Sequence, residues 1–488
     1  MLKQDSHTPA SWLIDVLIAI VCGLAFWWLA FEKLGRAHML DPWNTADMSD
    51  YCNGILHLLG EPDVPWSIKR SKITGWVATP LATEQGIMSA LRTSSAVATT
   101  MVGGGLYLWG RVAGGRTAGI LAALAGLALS PLVLLPRILT FYPMVSAFFV
   151  LGAVGVTAGI VYRSPRSLFW AGAGIGLALL GDVRGLVWAV PWMFGAVIAV
   201  AYSTHKKRAL KWLLAPLAVS FLIGHWSYTK DAVNFEAQLD VRPLWKMYGS
   251  KDPAHQPPYD TGGSFVWGHS GPWKLPQTGL FIINQMRLTP PKGFPPQVSR
   301  FGVDNHLAPM KPVWLGAGLL AILALIGRPR AFLAVGVTVL PFAIAFHGQQ
   351  NMAEIRVRFL CQIMPALALL IGVSLGKIVD GIPGPWRQWK GGSHPIRTFV
   401  AGGTLFAIVT GEISTPASPW ASWRRPWPVV SELLVMHPDS EIYGELGDRK
   451  KPCARALKRD QDAGKWLAPL RRRVKVRDVE DPADPTRR

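Results

Sequence analysis

Hydrophobic residues fall along this chain in long runs rather than at every second position. Eleven runs are predicted as membrane-crossing helices: 12–31, 87–109, 117–136, 138–161, 167–181, 185–202, 209–227, 312–327, 331–347, 358–379 and 396–413. A spanning helix needs about 20 mainly apolar residues; several runs reach that length, and others are shorter or rich in glycine. Residues 167–202 read either as two spans or as one long helix broken at Gly181-Asp-Val-Arg-Gly185. The first run, Trp12 to Phe31, lacks a small-x-small cleavage site before Glu32 and reads as an uncleaved signal anchor.

Three polar regions separate or follow these runs: 32–86, 228–311 and 414–488. In the first, Met48, Tyr51, Ile55, Leu58 and Leu59 recur at helical spacing, with Asp47, Asp50, Gly54 and His57 on another face. This predicts a helix from Thr45 to Leu59, capped by Asn44 or Thr45 and lying on the membrane surface. The second region is rich in Pro, Gly and Trp and shows little periodicity. The third has 16 Lys and Arg against 11 acids. Ser440-Glu-Ile-Tyr-Gly444 reads as a short strand there, Ala454 to Leu467 as a helix, and the chain from Arg471 onward as a basic tip. An unfolded, solvated tail is the plain alternative. The expected division is a membrane domain over 1–413 and a small outer unit or tail over 414–488.

Charge orients the layout. With the N-terminus in the cytoplasm and spans alternating, short inner loops and span ends hold 15 Lys and Arg, and short outer ones hold four. That is the asymmetry of the positive-inside rule. It places the large loops on the extracytoplasmic side of a plasma (inner) membrane.

Composition agrees: 50% of residues are hydrophobic and 16% charged, where soluble chains carry roughly a quarter charged. The expected fold class is all-α, a polytopic membrane protein with about 11 transmembrane helices. A net charge of +20 would point to nucleic acid in a soluble protein; here it belongs to orienting loops, and no nucleic-acid partner is expected. Many of the 22 Trp flank the runs, as interfacial anchors do. Cys22 and Cys361 lie inside runs as packing residues. Cys52 and Cys453 both fall on the outer side, where they either pair as a disulfide or remain two thiols. No zinc-type spacing, P-loop or dinucleotide fingerprint occurs. Gly103-Gly104-Gly105 and Gly172-x-Gly174-x-Gly176 fit close helix packing better than phosphate binding.

The candidate chemistry sits on the outer side. Asp41, Asp47 and Asp50 follow the first span closely. Lys69, Arg70 and Lys72 form a basic cluster suited to a phosphate headgroup, or to anionic lipid. Arg92, Arg137, Arg184 and Arg358 all map near outer span ends. Ionisable residues at membrane depth are costly and mark function or pairing; snorkelling to headgroups is the competing reading.

The order of these features resembles the GT-C superfamily of polyprenyl-phosphate-sugar-dependent glycosyltransferases, over roughly residues 12–380. Asp47-Met-Ser-Asp-Tyr51 through Leu58-Leu59-Gly60 resembles the family's acidic element after the first span. Lys72-Ile-Thr-Gly-Trp76 matches a basic, Trp-containing segment, and Ala90-Leu-Arg92-Thr-Ser-Ser-Ala96 an entry to the second span. Ala118-Gly-Ile-Leu-Ala-Ala-Leu124 to Ala128-Leu-Ser-Pro131 is a further local match, and Arg358-Phe-Leu to Pro365 resembles the late Arg-Tyr-Leu…Pro element. The protein O-mannosyltransferases and the lipid A aminoarabinose transferases are the groups most similar. Departures are Met48 where a second acid is usual, Thr140 to Pro143 where an acid follows the Arg137 region, and Asp182 beside Arg184.

The resemblance implies a membrane glycosyltransferase working on the extracytoplasmic side. The donor is a polyprenyl-phosphate sugar, and the acceptor a lipid, glycan or protein in contact with membrane lipids. Asp47 is the expected base, then Asp50 and Asp41. Lys72, Arg137 and Arg358 lead the phosphate-binding candidates, with Lys69, Arg70, Arg92 and Arg184 behind them. No metal or cofactor is expected; a divalent cation would enter with a pyrophosphate donor. A secondary transporter or lipid flippase, and a non-catalytic scaffold of the same fold, are the competing functions.

Overall fold

A computed structural model describes residues 9–28, 45–61, 64, 72–128, 132, 142–181, 185–234, 320, 323–325, 328–347, 364–381 and 451–463. Among these, all regular structure is helical: α1 (Pro9–Trp27), α2 (Thr45–Leu58), α3 (Lys72–Gln85), α4 (Ile87–Gly114), α5 (Arg116–Ala128), α6 (Tyr142–Val161), α7 (Leu168–Gly181), α8 (Gly185–Tyr202), α9 (Lys206–Asn234), α10 (Pro329–His347), α11 (Met364–Gly381) and α12 (Lys451–Asp462). The run predicted at 396–413 and the strand at 440–444 lie outside the described residues, as does most of 312–327.

The pattern of apolar runs locates the long helices because those runs are continuous. Pro143–Val161, 19 residues long, is apolar enough to cross a membrane. Trp12–Trp27, Arg116–Leu127, Leu168–Ala178 and Trp192–Tyr202 are shorter apolar helices. Helices α7 and α8 are two separate helices packed on one another and on α6, which decides between the two readings of 167–202. Helix α3 falls within the polar region 32–86 and carries Pro80 in its interior.

Helix α4 is the centre of the bundle and packs on α1, α3, α5, α6 and α11. Small residues let it approach its neighbours. A Cβ on Gly104 would lie 2.8 Å from the Ala19 carbonyl oxygen of α1, so only glycine permits that contact. Gly172 and Gly176 likewise meet α9 at Leu213, Pro216 and Ser220. The glycine runs are therefore packing surfaces. Trp109 is buried and donates from Nε1 to Thr157 Oγ1 at 2.9 Å, tying α4 to α6.

These close approaches also give directions. Residues 15, 19 and 23 of α1 meet residues 107, 104 and 100 of α4, an antiparallel pair. Residues 105 and 109 of α4 meet 150 and 157 of α6, a parallel pair. Helix α7 runs against α6, and α8 runs with α6. The outside of the bundle is greasy. Trp12, Leu13, Leu17, Val21 and Leu24 of α1 and Leu210, Leu214 and Leu222 of α9 are all exposed. Contiguous exposed apolar surface on this scale is a liability in water and ordinary in lipid.

Between α3 and α4 the chain turns at Gly86, whose φ is 81° and ψ 159°. That region is open to glycine and costs other residues about 1–3 kcal/mol. Gly86→Ala is expected to destabilise the protein by about that amount. Thermal unfolding in detergent checks it, and an unchanged midpoint would contradict the strain argument.

Candidate functional site

Two ends of α4 are pinned by charge, and they differ in kind. Near its C-terminus, Asp15 of α1 is buried and accepts from Tyr107 Oη at 2.7 Å, Arg116 Nε at 2.7 Å and Arg111 Nε at 3.2 Å. Arg328 Nη1 donates to the Gly114 carbonyl at 2.9 Å, satisfying one of the carbonyls a helix end leaves unpaired. Thr117 Oγ1 donates to Asp380 Oδ1 at 3.0 Å. Arg111, Arg116 and Arg328 all come from stretches predicted to be inner loops.

At the other end of α4, Ile87 is the first helical residue, and Gly86 before it has no side chain with which to cap. The backbone N–H of Ile87 instead donates to Asp460 Oδ2 of α12 at 2.7 Å. An anionic acceptor suits a helix N-terminus. From Ile87 to Arg111 the helix rises roughly 36 Å at 1.5 Å per residue, comparable to the roughly 30 Å of a bilayer's hydrocarbon core.

The acidic helix α2 belongs to this second end. Gly60, with φ 84°, closes it: Gly60 N–H donates to His57 O at 3.1 Å and Glu61 N–H to Leu56 O at 3.0 Å. That is the paired bonding of a glycine-terminated helix. Cys52 is joined to Cys453 of α12 by a disulfide, with Cα atoms 5.6 Å apart and a sequence separation of 401. In a free chain, closing a loop of that size stabilises the fold by about 6 kcal/mol. Helices already packed in a bundle confine the chain, so the gain here is smaller. Arg459 Nη2 donates to Glu61 Oε1 at 2.8 Å; this exposed pair adds little.

These contacts correct one expectation. Helix α2 does not lie on a surface with a single apolar face. Tyr51, Cys52, Asn53, Gly54, Ile55 and Leu56 are all buried, while Leu58 and Leu59 are 37% and 41% exposed. The reason is that α3, α4 and α12 all pack on α2 and enclose it on more than one side.

Of the predicted site residues, Asp47 and Asp50 occupy the first two turns of α2, Lys72 begins α3, and Arg92 is in the second turn of α4. The three helices adjoin one another, so the backbone brings candidate acids and these two candidate cations to one region. Asp41, Lys69, Arg70, Arg137, Arg184 and Arg358 lie outside the described residues. Among the described residues, no group of three or more His, Cys, Asp or Glu side chains could hold a metal ion. Sequence reading passed over Asp15 and Asp460. Asp15 carries a signal in retrospect, as the one acid within the first apolar run. Asp460 carries none.

No family model matches the chain, and no curated protein matches it. Among solved structures it is similar to ArnT from Cupriavidus metallidurans bound to undecaprenyl phosphate, at 14% identity and a TM-score of 0.48, covering 95% of this chain and 77% of that one. The apo state of the same protein gives a TM-score of 0.49 at 14% identity. It is also similar to the oligosaccharyltransferase AglB from Archaeoglobus fulgidus in complex with an inhibitory peptide and a dolichol-phosphate, at 13% identity and a TM-score of 0.44. That match covers 90% of this chain and 60% of the archaeal protein, so this chain spans less than two thirds of its length.

Proposed function

We propose that this chain is a membrane glycosyltransferase that moves a sugar from a polyprenyl-phosphate donor to an acceptor hydroxyl on the extracytoplasmic side. The observation that carries this reading is the placement of α2. The helix bearing Asp47 and Asp50 is fixed by a disulfide at the end of α4 opposite the Asp15–arginine cluster. Disulfides persist in oxidising compartments, which supports an outer location for α2. Cationic loops stay in the cytoplasm, which supports an inner location for Arg111, Arg116 and Arg328. Two independent physical rules thus support one orientation. The alternating helix directions are what repeated crossings of one layer produce, and they support a multi-pass chain of about 11 spans.

The chemistry proposed there is a single displacement. Asp47 takes the proton from the acceptor hydroxyl. The oxygen attacks the anomeric carbon from the face opposite the phosphate and inverts that centre. The bond from the anomeric carbon to the phosphate oxygen breaks, and the electron pair leaves with the polyprenyl phosphate. Lys72, Arg137 and Arg358 bear the charge that develops. Asp50 and Asp41 support the base, and Lys69, Arg70, Arg92 and Arg184 extend the cationic surface. The carrier is a polyprenyl phosphate, the class to which the ligand of the Cupriavidus structure belongs. Acceptor selection is assigned to the region 228–311. A monophosphate leaving group needs no metal, whereas a pyrophosphate donor would call for a divalent cation.

The test uses the full chain in liposomes with a labelled polyprenyl-phosphate sugar and membrane extracts as acceptor. Release of the carrier phosphate together with label in a new product is the expected result. Movement of lipid or solute across the bilayer without sugar transfer would replace this reading with a transporter.

A further inference from the structure

We propose that α12 is a positioning clasp for the acidic helix, holding α2 through the Cys52–Cys453 bridge and the start of α4 through Asp460. The inference rests on the transferase reading only for what the clasp serves; its mechanical part stands alone.

Helix α2 has 14 residues, and isolated helices of that length are marginal in water. Its position must come from its neighbours. Covalent attachment is made at one point, Cys52, midway along the helix, five residues beyond Asp47 and two beyond Asp50. Cys453 and Ala456 of α12 are themselves buried, at 2% exposure each, so α12 is seated in the core rather than tethered to its surface. The same helix then reaches α4. Asp460 lies seven residues after Cys453, two helical turns on, and accepts from the Ile87 N–H. Gly86 leaves that donor with no local side-chain cap. Seated in the core, α12 therefore touches the element carrying the candidate acids and the element carrying Arg92. Together with α3, which packs on both, it holds them in one relative position. Loss of either attachment frees one element against the other, and a base misplaced by an ångström can cost catalysis about 100-fold.

The test compares the full chain in nanodiscs with Cys52→Ser/Cys453→Ser, Asp460→Asn, Asp460→Ala and the combination of the two serines with Asp460→Ala. Amide hydrogen exchange is expected to rise in α2 and in the first turn of α4 in the combined variant, and to stay unchanged in α6. Asparagine keeps an acceptor and should retain most protection; alanine should not. In the transfer assay, kcat is expected to fall at least 10-fold in the combined variant while KM for the donor changes less than threefold. Asp460→Asn should recover most of the loss. Unchanged exchange in α2 and α4, or unchanged kcat in the combined variant of an active protein, would overturn the clasp. Loosened exchange in a protein whose wild type transfers no sugar would uphold the clasp and remove the transferase.

Discussion

Asp47→Asn is expected to lower sugar transfer by about 10²–10⁴-fold, the usual contribution of a positioned general base, with expression and membrane insertion intact. Asparagine keeps the shape of the side chain and removes the proton acceptor. Asp47 sits in the first two turns of α2, ahead of the segment that the disulfide and the buried residues from Tyr51 to Leu56 hold in place. The substitution therefore touches the chemistry without undoing the packing. Asp50→Asn is the matched control and should cost less. Carrier release from labelled donor, measured in liposomes, checks both. Full activity in Asp47→Asn would remove Asp47 from the mechanism and pass the role to Asp50 or Asp41.

The second large effect is expected from Asp15→Asn, and it falls on stability. Asp15 is 8% exposed and takes hydrogen bonds from a tyrosine and two arginines. Neutralising it removes the carboxylate that the Arg111 and Arg116 guanidiniums share. Removing one partner of a buried pair costs about 3–5 kcal/mol. The arginine side chains retain 16% and 25% exposure, so a loss of about 3 kcal/mol is expected, at the low end of that range. Thermal unfolding in detergent reads it. Combining Asp15→Asn with Arg116→Gln should recover part of the loss, because one of the two cations that Asp15 offsets is gone. A double variant no better than the single one would show that shape rather than charge holds this corner.

What the sequence made legible followed from how local each signal is. Helices α1, α6, α7 and α8 are continuous apolar runs, and their ends fall within a few residues of expectation. Helix α2 was legible as a helix from its own spacing, and Gly60 marks its stop. Its burial was not legible, because it takes packing against α3, α4 and α12, the last bridged to it across 401 positions of sequence. Helix α3 was hidden by Pro80 and by a mixed composition that reads as loop. Asp15 looks like a stray charge in an apolar run until Tyr107, Arg111 and Arg116 arrive from about a hundred residues downstream. For the candidate site, the helices carrying Asp47, Asp50, Lys72 and Arg92 are neighbours. That adjacency is a property of packing among α2, α3 and α4, which no periodicity encodes.

The bridge between Cys52 and Cys453 also sets an order of events during biosynthesis. Among the described helices only α1 precedes α2, and α12 follows all the others. For the whole interval Cys52 is a thiol without its mate. Any wrong pairing Cys52 makes in that interval has to be undone before Cys453 can take its place. The acidic helix is thus completed only after every other described helix has been made. A chain that stops short of α12 never completes it, and formation of this one bond reports that the whole stretch between the two cysteines has been synthesised.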